Sequence, residues 1–166
     1  MIHRDYALDL VKETSKYPHA LVVGRIMDKL TIELDKDVEE WELVGLLHYL
    51  DLYLVHEDLS EHGPRAAEIL KGKLSEGGLQ AISAHDFRSG YTPSSDLDIS
   101  LVFADSLAVL LEEHPVPPDL EFDEFRKVLD RFAEEKKWIR DNIVNYRYLD
   151  EIDLLSLVEE ALRATG

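Results

Sequence analysis

The sequence predicts an all-α bundle of about seven to eight helices, on three observations. Apolar residues recur at i, i+3 and i+4 through most of the chain. Proline and glycine cluster between these periodic segments rather than inside them. No stretch alternates apolar and polar residues with the period of two that a half-buried strand requires. At 166 residues the chain suits a single domain spanning 1–166, long enough to bury a substantial core.

Taken in order, Ile2, Tyr6, Leu8, Leu10 and Val11 mark a short first helix that ends before Tyr17-Pro18. His19, Val22, Val23, Ile26 and Leu30 share one face of a second helix. A third is expected to start at Asp37, a cap followed three residues later by Glu40, and to run through Trp41, Val44, Leu47 and Leu50. HEDLSEHGPRAAEILKGK reads as a loop and then a helix with Pro64 in its first turn. Another short helix, with Gly77-Gly78 early in it, is expected between Lys73 and Ala84. RSGYTPSS is turn-rich, and Ser94 or Ser95 caps a helix over Asp96 to Glu113, which Pro115, Pro117 and Pro118 terminate. Two amphipathic segments follow, about Phe122–Asn145 and Leu149–Ala164. The stripe Phe122, Phe125, Leu129, Phe132 needs an apolar partner, and these 48 or so residues are few for an independent core. They are expected to pack on what precedes them.

Composition narrows the function classes. Eighteen Lys and Arg stand against thirty-five Asp and Glu, a net charge of −17. A field of that sign repels nucleic-acid backbones and anionic membranes, so neither is expected as a partner. There is no cysteine, which excludes disulfides, thiolate metal sites and cysteine nucleophiles. The N-terminal residues lack the uninterrupted apolar core of a signal peptide, and no apolar run approaches the roughly 18 residues of a membrane span. A cytoplasmic location is the expectation.

Against this background, polar residues on apolar faces stand out. In GLLHYLDLYL, residues 45–54, His48 and Asp51 are three apart and would be neighbours on one helix face. A buried carboxylate without a partner costs several kcal/mol, so Asp51 requires donors, a cation or water. A His48–Asp51 hydrogen bond within the core would satisfy both. The same anomaly recurs, however. His19 lies among Val22, Val23 and Ile26; Asp105 shares a face with Leu101, Val102, Ala108 and Val109; His85 ends LQAISAH; His62 precedes AAEIL. Inward imidazoles and carboxylates on separate helices are satisfied together by one metal site. These ligand types suit Zn, Mn, Fe, Ni or Co without selecting among them.

The order of these residues resembles the HD superfamily of metal-dependent phosphohydrolases. That pattern has an early helix histidine, a His-Asp dipeptide after an apolar run, and a distal aspartate, with two further histidines in some members. The matching positions here are His19 in YPHALVVGRIM, His48 in WELVGLLHYLD, His62 in EHGPRAAEIL, His85 in LQAISAH and Asp105 in LVFADSLAVL. The likeness covers about residues 15–112, with the helices of 119–164 packed on that core. One position departs: Tyr49 stands where the dipeptide's aspartate would be, and His85-Asp86, a literal His-Asp pair, matches the later histidine instead.

The resemblance implies a divalent transition metal held by His19, His48 and Asp105, with His62 and His85 completing a second site or meeting substrate. It implies hydrolysis of a small phosphorylated or nucleotide-like substrate by a metal-activated water. Asp51 is a candidate catalytic base or an orienter of a histidine. Arg65, Lys71 and Arg88 are candidate phosphate binders. Loss of the dipeptide carboxylate at Tyr49 leaves a second reading open, in which the metal is absent or the domain is inactive and only binds a metal or a phosphorylated small molecule. A helical interaction protein with no site is the third.

Overall fold

The structure is a computed structural model that describes residues 1–36 and 38–165. Asp37, the expected cap of the third helix, lies outside the described residues. Within them every regular element is helical and there is no strand. Among the described residues nine helices have six residues or more, consistent with the expected bundle of about seven to eight.

Helix α1 covers Arg4–Val11 and α2 covers Tyr17–Glu33, with Pro18 in its first turn, where a missing N–H costs nothing. Helix α3 spans Val38–Leu47, ending earlier than its apolar pattern suggests. The His48 ring N–H donates to Gly45 O at 2.7 Å, taking a carbonyl that the next helical N–H would use. Residues 48–51 turn instead, with Leu50 N on Leu47 O and Leu52 N on Tyr49 O. His48 and Asp51 are therefore not neighbours on one helix face, and the expected His48–Asp51 pairing is absent. The one-turn α4, Leu52–Val55, follows.

Helix α5 is Pro64–Ile69 and α6 is Glu76–Ala84, capped by Ser75 Oγ, which accepts from Gly78 N. Helix α7 is Asp96–Glu113, and Ser95, one of the two expected caps, forms a reciprocal capping box with Asp98. The segment expected as one helix over Phe122–Asn145 is two. Helix α8, Phe122–Glu135, breaks at Lys136 (φ −138°, ψ 73°) before α9, Lys137–Val144. Helix α10 is Leu154–Arg163, capped by Asp153.

The long helices α2 and α7 form the centre. Helix α2 packs against α3, α7 and α10, while α7 also meets α6 and α9. One continuous apolar cluster runs from Ala7 and Val11 through Ile26, Leu47 and Leu107 to Phe125, Phe132, Ile143 and Leu157. The segments after Pro118 thus share the core of the preceding ones.

The α2–α3 crossing is unusually close. A Cβ on Gly45 would lie 2.9 Å from Gly24 Cα and 3.0 Å from Val23 O, backbone atoms that cannot rotate away. A Cβ on Gly24 would lie 2.9 Å from Leu46 Cγ. Ordinary helix pairs stand about 8–10 Å apart, and paired glycines are what permit the lower end of that range. The replacement Gly45→Ala should therefore destabilise the fold by about 1–3 kcal/mol of overpacking, less the roughly 1 kcal/mol that alanine gains in helix propensity. Gly77, in the exposed first turn of α6, meets only Ser75 Oγ at 3.5 Å, so Gly77→Ala should be neutral or stabilising. Urea denaturation of both variants checks this contrast; equal midpoints would contradict it.

Candidate metal centre

Five chain segments deliver the five expected ligands to one region. His19 stands in the first turn of α2, His48 just beyond α3, His62 two residues before α5, His85 at the C-terminal cap of α6, and Asp105 midway along α7. All four histidines are buried, at 5% exposure or less. His19 Nε2, His48 Nε2 and Asp105 Oδ1 converge, with separations of 3.4, 3.0 and 3.5 Å around the triangle. Donors about 2.0–2.2 Å from one shared ion, at angles of 90–110°, stand about 3.0–3.5 Å apart. The three atoms meet that requirement.

His62 and His85 form a second group. Their Nε2 atoms approach to 3.1 Å. His48 connects the two groups, its ring centroid 5.0 Å from that of His85.

The other nitrogen of each ring explains this arrangement. His19 Nδ1 meets Glu112 Oε1 at 2.6 Å and His62 Nδ1 meets Asp51 Oδ1 at 2.7 Å. His48 and His85 place Nδ1 at 2.7 Å from the carbonyls of Gly45 and Ile82. Carbonyls and ionised carboxylates only accept, so every Nδ1 carries a proton and every neutral ring turns its Nε2 lone pair inward. Fixing the tautomer through the outer nitrogen is how metal-binding imidazoles are held. Two lone pairs facing one another at 3.1 Å repel, and a metal ion placed between His62 and His85 would relieve that repulsion.

Close packing sets these positions. His48 follows the Gly24–Gly45 crossing, and His19 lies five residues before Gly24 on the facing helix. Gly63 does the equivalent for the second group: its φ of +91° is one an L side chain rarely adopts, and a Cβ there would lie 2.5 Å from Ile82 O. That contact seats the start of α5 on the end of α6, bringing His62 to His85.

The electrostatics follow from burial and pairing. Burial would depress His19, but its bonds to Asp105 and Glu112 win and raise it to about 9. Burial lowers His48, and burial with the charges of its histidine neighbours lowers His85 to about 4. Burial would raise Asp105, yet the His19 and His48 bonds hold it well below the usual carboxylate range. A carboxylate and a cationic imidazole locked together are the groups a divalent ion would bind after displacing one proton.

Tyr49 occupies the centre of the group. Its ring centroid is 4.8 Å from His19, 4.6 Å from His48 and His62, and 5.8 Å from His85. Lys16 Nζ lies 5.4 Å over the same ring. Asp105's charge, then burial, push its phenol upward, so it is neutral here. With His85 and Asp105 it lines a cleft of about 700 Å³ that opens to solvent.

Three of the expected catalytic and phosphate-binding residues do not line the cleft. Asp51 is fully buried and its oxygens are spent on His62 Nδ1, Gly63 N (2.7 Å) and Ala66 N (3.0 Å). It positions His62, one of the two roles expected of it, from a place with no solvent exposure. Arg65 is exposed and paired with Glu68 along α5, and Lys71 is exposed beyond that helix; neither lines the cleft. Arg88 does line it, its guanidinium engaged by Asp86. Glu112 was missed by sequence reasoning, although it stands seven residues after Asp105 on α7 and hence on the same face.

No family model matches the chain, and neither the curated proteins nor the solved structures yield a match.

Two outcomes are expected of the metal-free protein. His19, raised to about 9 from 6.5, contributes stability that is complete below pH 6.5 and lost as pH rises toward 9. His85, depressed to about 4, acts oppositely: its unfolded form takes up protons first, so stability falls as pH drops from 6.5 toward 4. A stability maximum near pH 6.5 in thermal melts checks both, and a flat profile across pH 4–9 contradicts them. Separately, Asp51→Ala strands three buried donors and should cost about 3 kcal/mol or more. A loss under about 1 kcal/mol would contradict the anchoring role.

Proposed function

We propose that this chain is a divergent, cytoplasmic metal-dependent phosphohydrolase of HD type that acts on a small phosphorylated molecule. The observation that carries this reading is the set of four imidazoles whose Nδ1 atoms are all tied to acceptors while their Nε2 atoms face inward beside Asp105. A core histidine needs one partner and no particular tautomer. Four in one place with the same orientation suit a cation, and the three-donor triangle fits one.

His19, His48 and Asp105 would hold the ion, of the Zn, Mn, Fe, Ni or Co class, with Glu112 and Gly45 O fixing the two rings. When bound there, such an ion supplies an activated water near neutral pH and draws charge from a phosphoryl oxygen. The chain's own part is to present the substrate. The cleft opens on Asp105, Tyr49 and His85, so a phosphoryl group entering it meets the ligand triangle at its exposed edge. Arg88, placed on that cleft, is available to a phosphoryl oxygen on exchanging its Asp86 partner. The neutral Tyr49 hydroxyl can donate to an oxygen of the substrate.

Tyr49 also favours the second reading, an inactive HD-like domain that binds a metal or a phosphorylated small molecule. Its ring fills the space between the two nitrogen groups, and a neutral phenol contributes no charge to a divalent cation.

The substitution Tyr49→Asp separates the two. It adds a carboxylate beside His48 and clears the ring. Melting temperature should then respond to Mn, Ni, Co or Zn more strongly than in wild type, since a ligand that binds only the folded state stabilises it by mass action. Hydrolysis of a generic phosphomonoester by metal-loaded wild type supports the enzyme. Hydrolysis only by the mutant supports the inactive module. A melting temperature indifferent to metal in both proteins overturns both.

A further inference from the structure

Three large aromatic side chains are left in solvent around one opening. Phe87 is 68% exposed, Tyr91 49% and Trp138 47%, and all three line the cleft whose floor is Tyr49, His85 and Asp105. They come from two parts of the chain: Phe87 and Tyr91 from the connection between α6 and α7, Trp138 from α9. Exposed aromatic surface is costly, and its concentration at one concavity is informative where scattered exposure is not. The Phe87 and Trp138 rings are 6.3 Å apart and inclined at 59°, so they do not cover one another.

The charges nearby are already matched. Arg88 is held by Asp86, and its guanidinium stands 5.8 Å from the Phe87 ring; Lys136 is paired with Glu113. The mouth is therefore neutral and aromatic, while Asp105 and His85, on the side of the groups that would hold a cation, lie deeper. Asn142 on the cleft wall donates Nδ2 to Ser106 Oγ at 3.0 Å, which leaves its carbonyl oxygen to accept from a ligand. At about 700 Å³ the cleft is within the size range that takes small molecules, and it is concave rather than flat as a protein-docking patch would be.

We propose that the cleft mouth formed by Phe87, Tyr91 and Trp138 is a stacking subsite for a planar aromatic group, so that the molecule taken here is an aromatic phosphoester oriented with its phosphate toward the histidines. This deepens the phosphohydrolase reading and rests on it for the phosphate end alone. The aromatic end is independent of any metal. The arene comes from either of two sources, a nucleobase or a simple aryl group. The Asn142 carbonyl can distinguish them, because only a nucleobase brings a ring amine to it.

The test is binding to the full chain, with and without added Mn, by calorimetry. The probes are adenosine 5′-monophosphate, phenyl phosphate and ribose 5-phosphate. Adenosine 5′-monophosphate should bind about tenfold more tightly than ribose 5-phosphate, the gain expected of one stacked ring. Phe87→Ala and Trp138→Ala should each remove most of that gain without changing ribose 5-phosphate binding, and Trp138→Phe should restore it. Both positions are solvent-exposed, so the variants should keep the wild-type melting temperature. Phenyl phosphate binding as tightly as adenosine 5′-monophosphate identifies a general arene subsite, and weaker binding identifies a nucleobase. Equal binding of the aromatic and aliphatic phosphates, absence of binding by any of them, or indifference to both alanine variants overturns the subsite. Aromatic-dependent binding without hydrolysis leaves it standing and counts against the enzyme instead.

Discussion

The backbone contact of Gly24 with Gly45 is the constraint on which the site depends. It allows α2 and α3 to approach closely enough that His19 and His48, on facing helices, bring their Nε2 atoms to 3.4 Å. Imidazoles are short. Had either glycine carried a Cβ, the helices would stand further apart and both rings would lose Asp105. Gly63 against Ile82 O repeats the device for His62 and His85. Close backbone approach, rather than long side chains, does the converging in both cases.

Proximity alone would give a cluster of buried polar groups that repel or go unpaired. What makes it tolerable is the outer ring of acceptors: Glu112, Asp51 and two backbone carbonyls. Each fixes one tautomer, and each spends its partner's only neutral donor, leaving lone pairs that face one another. No buried side-chain polar atom among the described residues lacks a hydrogen-bond partner. That satisfaction depends on extra positive charge in the interior on His19, held between two carboxylates. A chain of net charge −17 is a favourable setting for cations.

Tyr49 changes what the cluster can do. Its aromatic ring packs edge-on against three of the imidazoles, His48 and His62 among them, and is tilted against His85. It sets an apolar ring with a neutral phenol at the point of highest donor density. The polar chemistry is thereby moved toward the Asp105 side, where the cleft opens. Asp51, by contrast, sits on the far side of His62 and takes part only through that ring.

The sequence by itself determined the helical class, most helix limits and the identity of the inward polar residues. Period-3.6 patterning, Ser95 as a cap and the prolines after Glu113 act within a few residues, and local signals of that kind survive in one dimension. It also determined that His19, His48 and Asp105 were anomalous, because a charged or polar residue on an apolar face costs free energy unless partnered. The partners themselves were decided by tertiary structure. Asp51 looked to His48 across one helical turn and instead bonds His62, since the helix ends at Leu47 once a ring N–H takes the Gly45 carbonyl. Glu112, the Phe87 turn with Arg88 beside it, and Trp138 join the site or its cleft from three separate places, while Arg65 and Lys71, within nine residues of His62, line no part of it. Spacing along a chain fixes which residues share a helix face; which faces meet depends on how closely two backbones can pack, and here that was decided by glycines whose role is invisible until the helices cross.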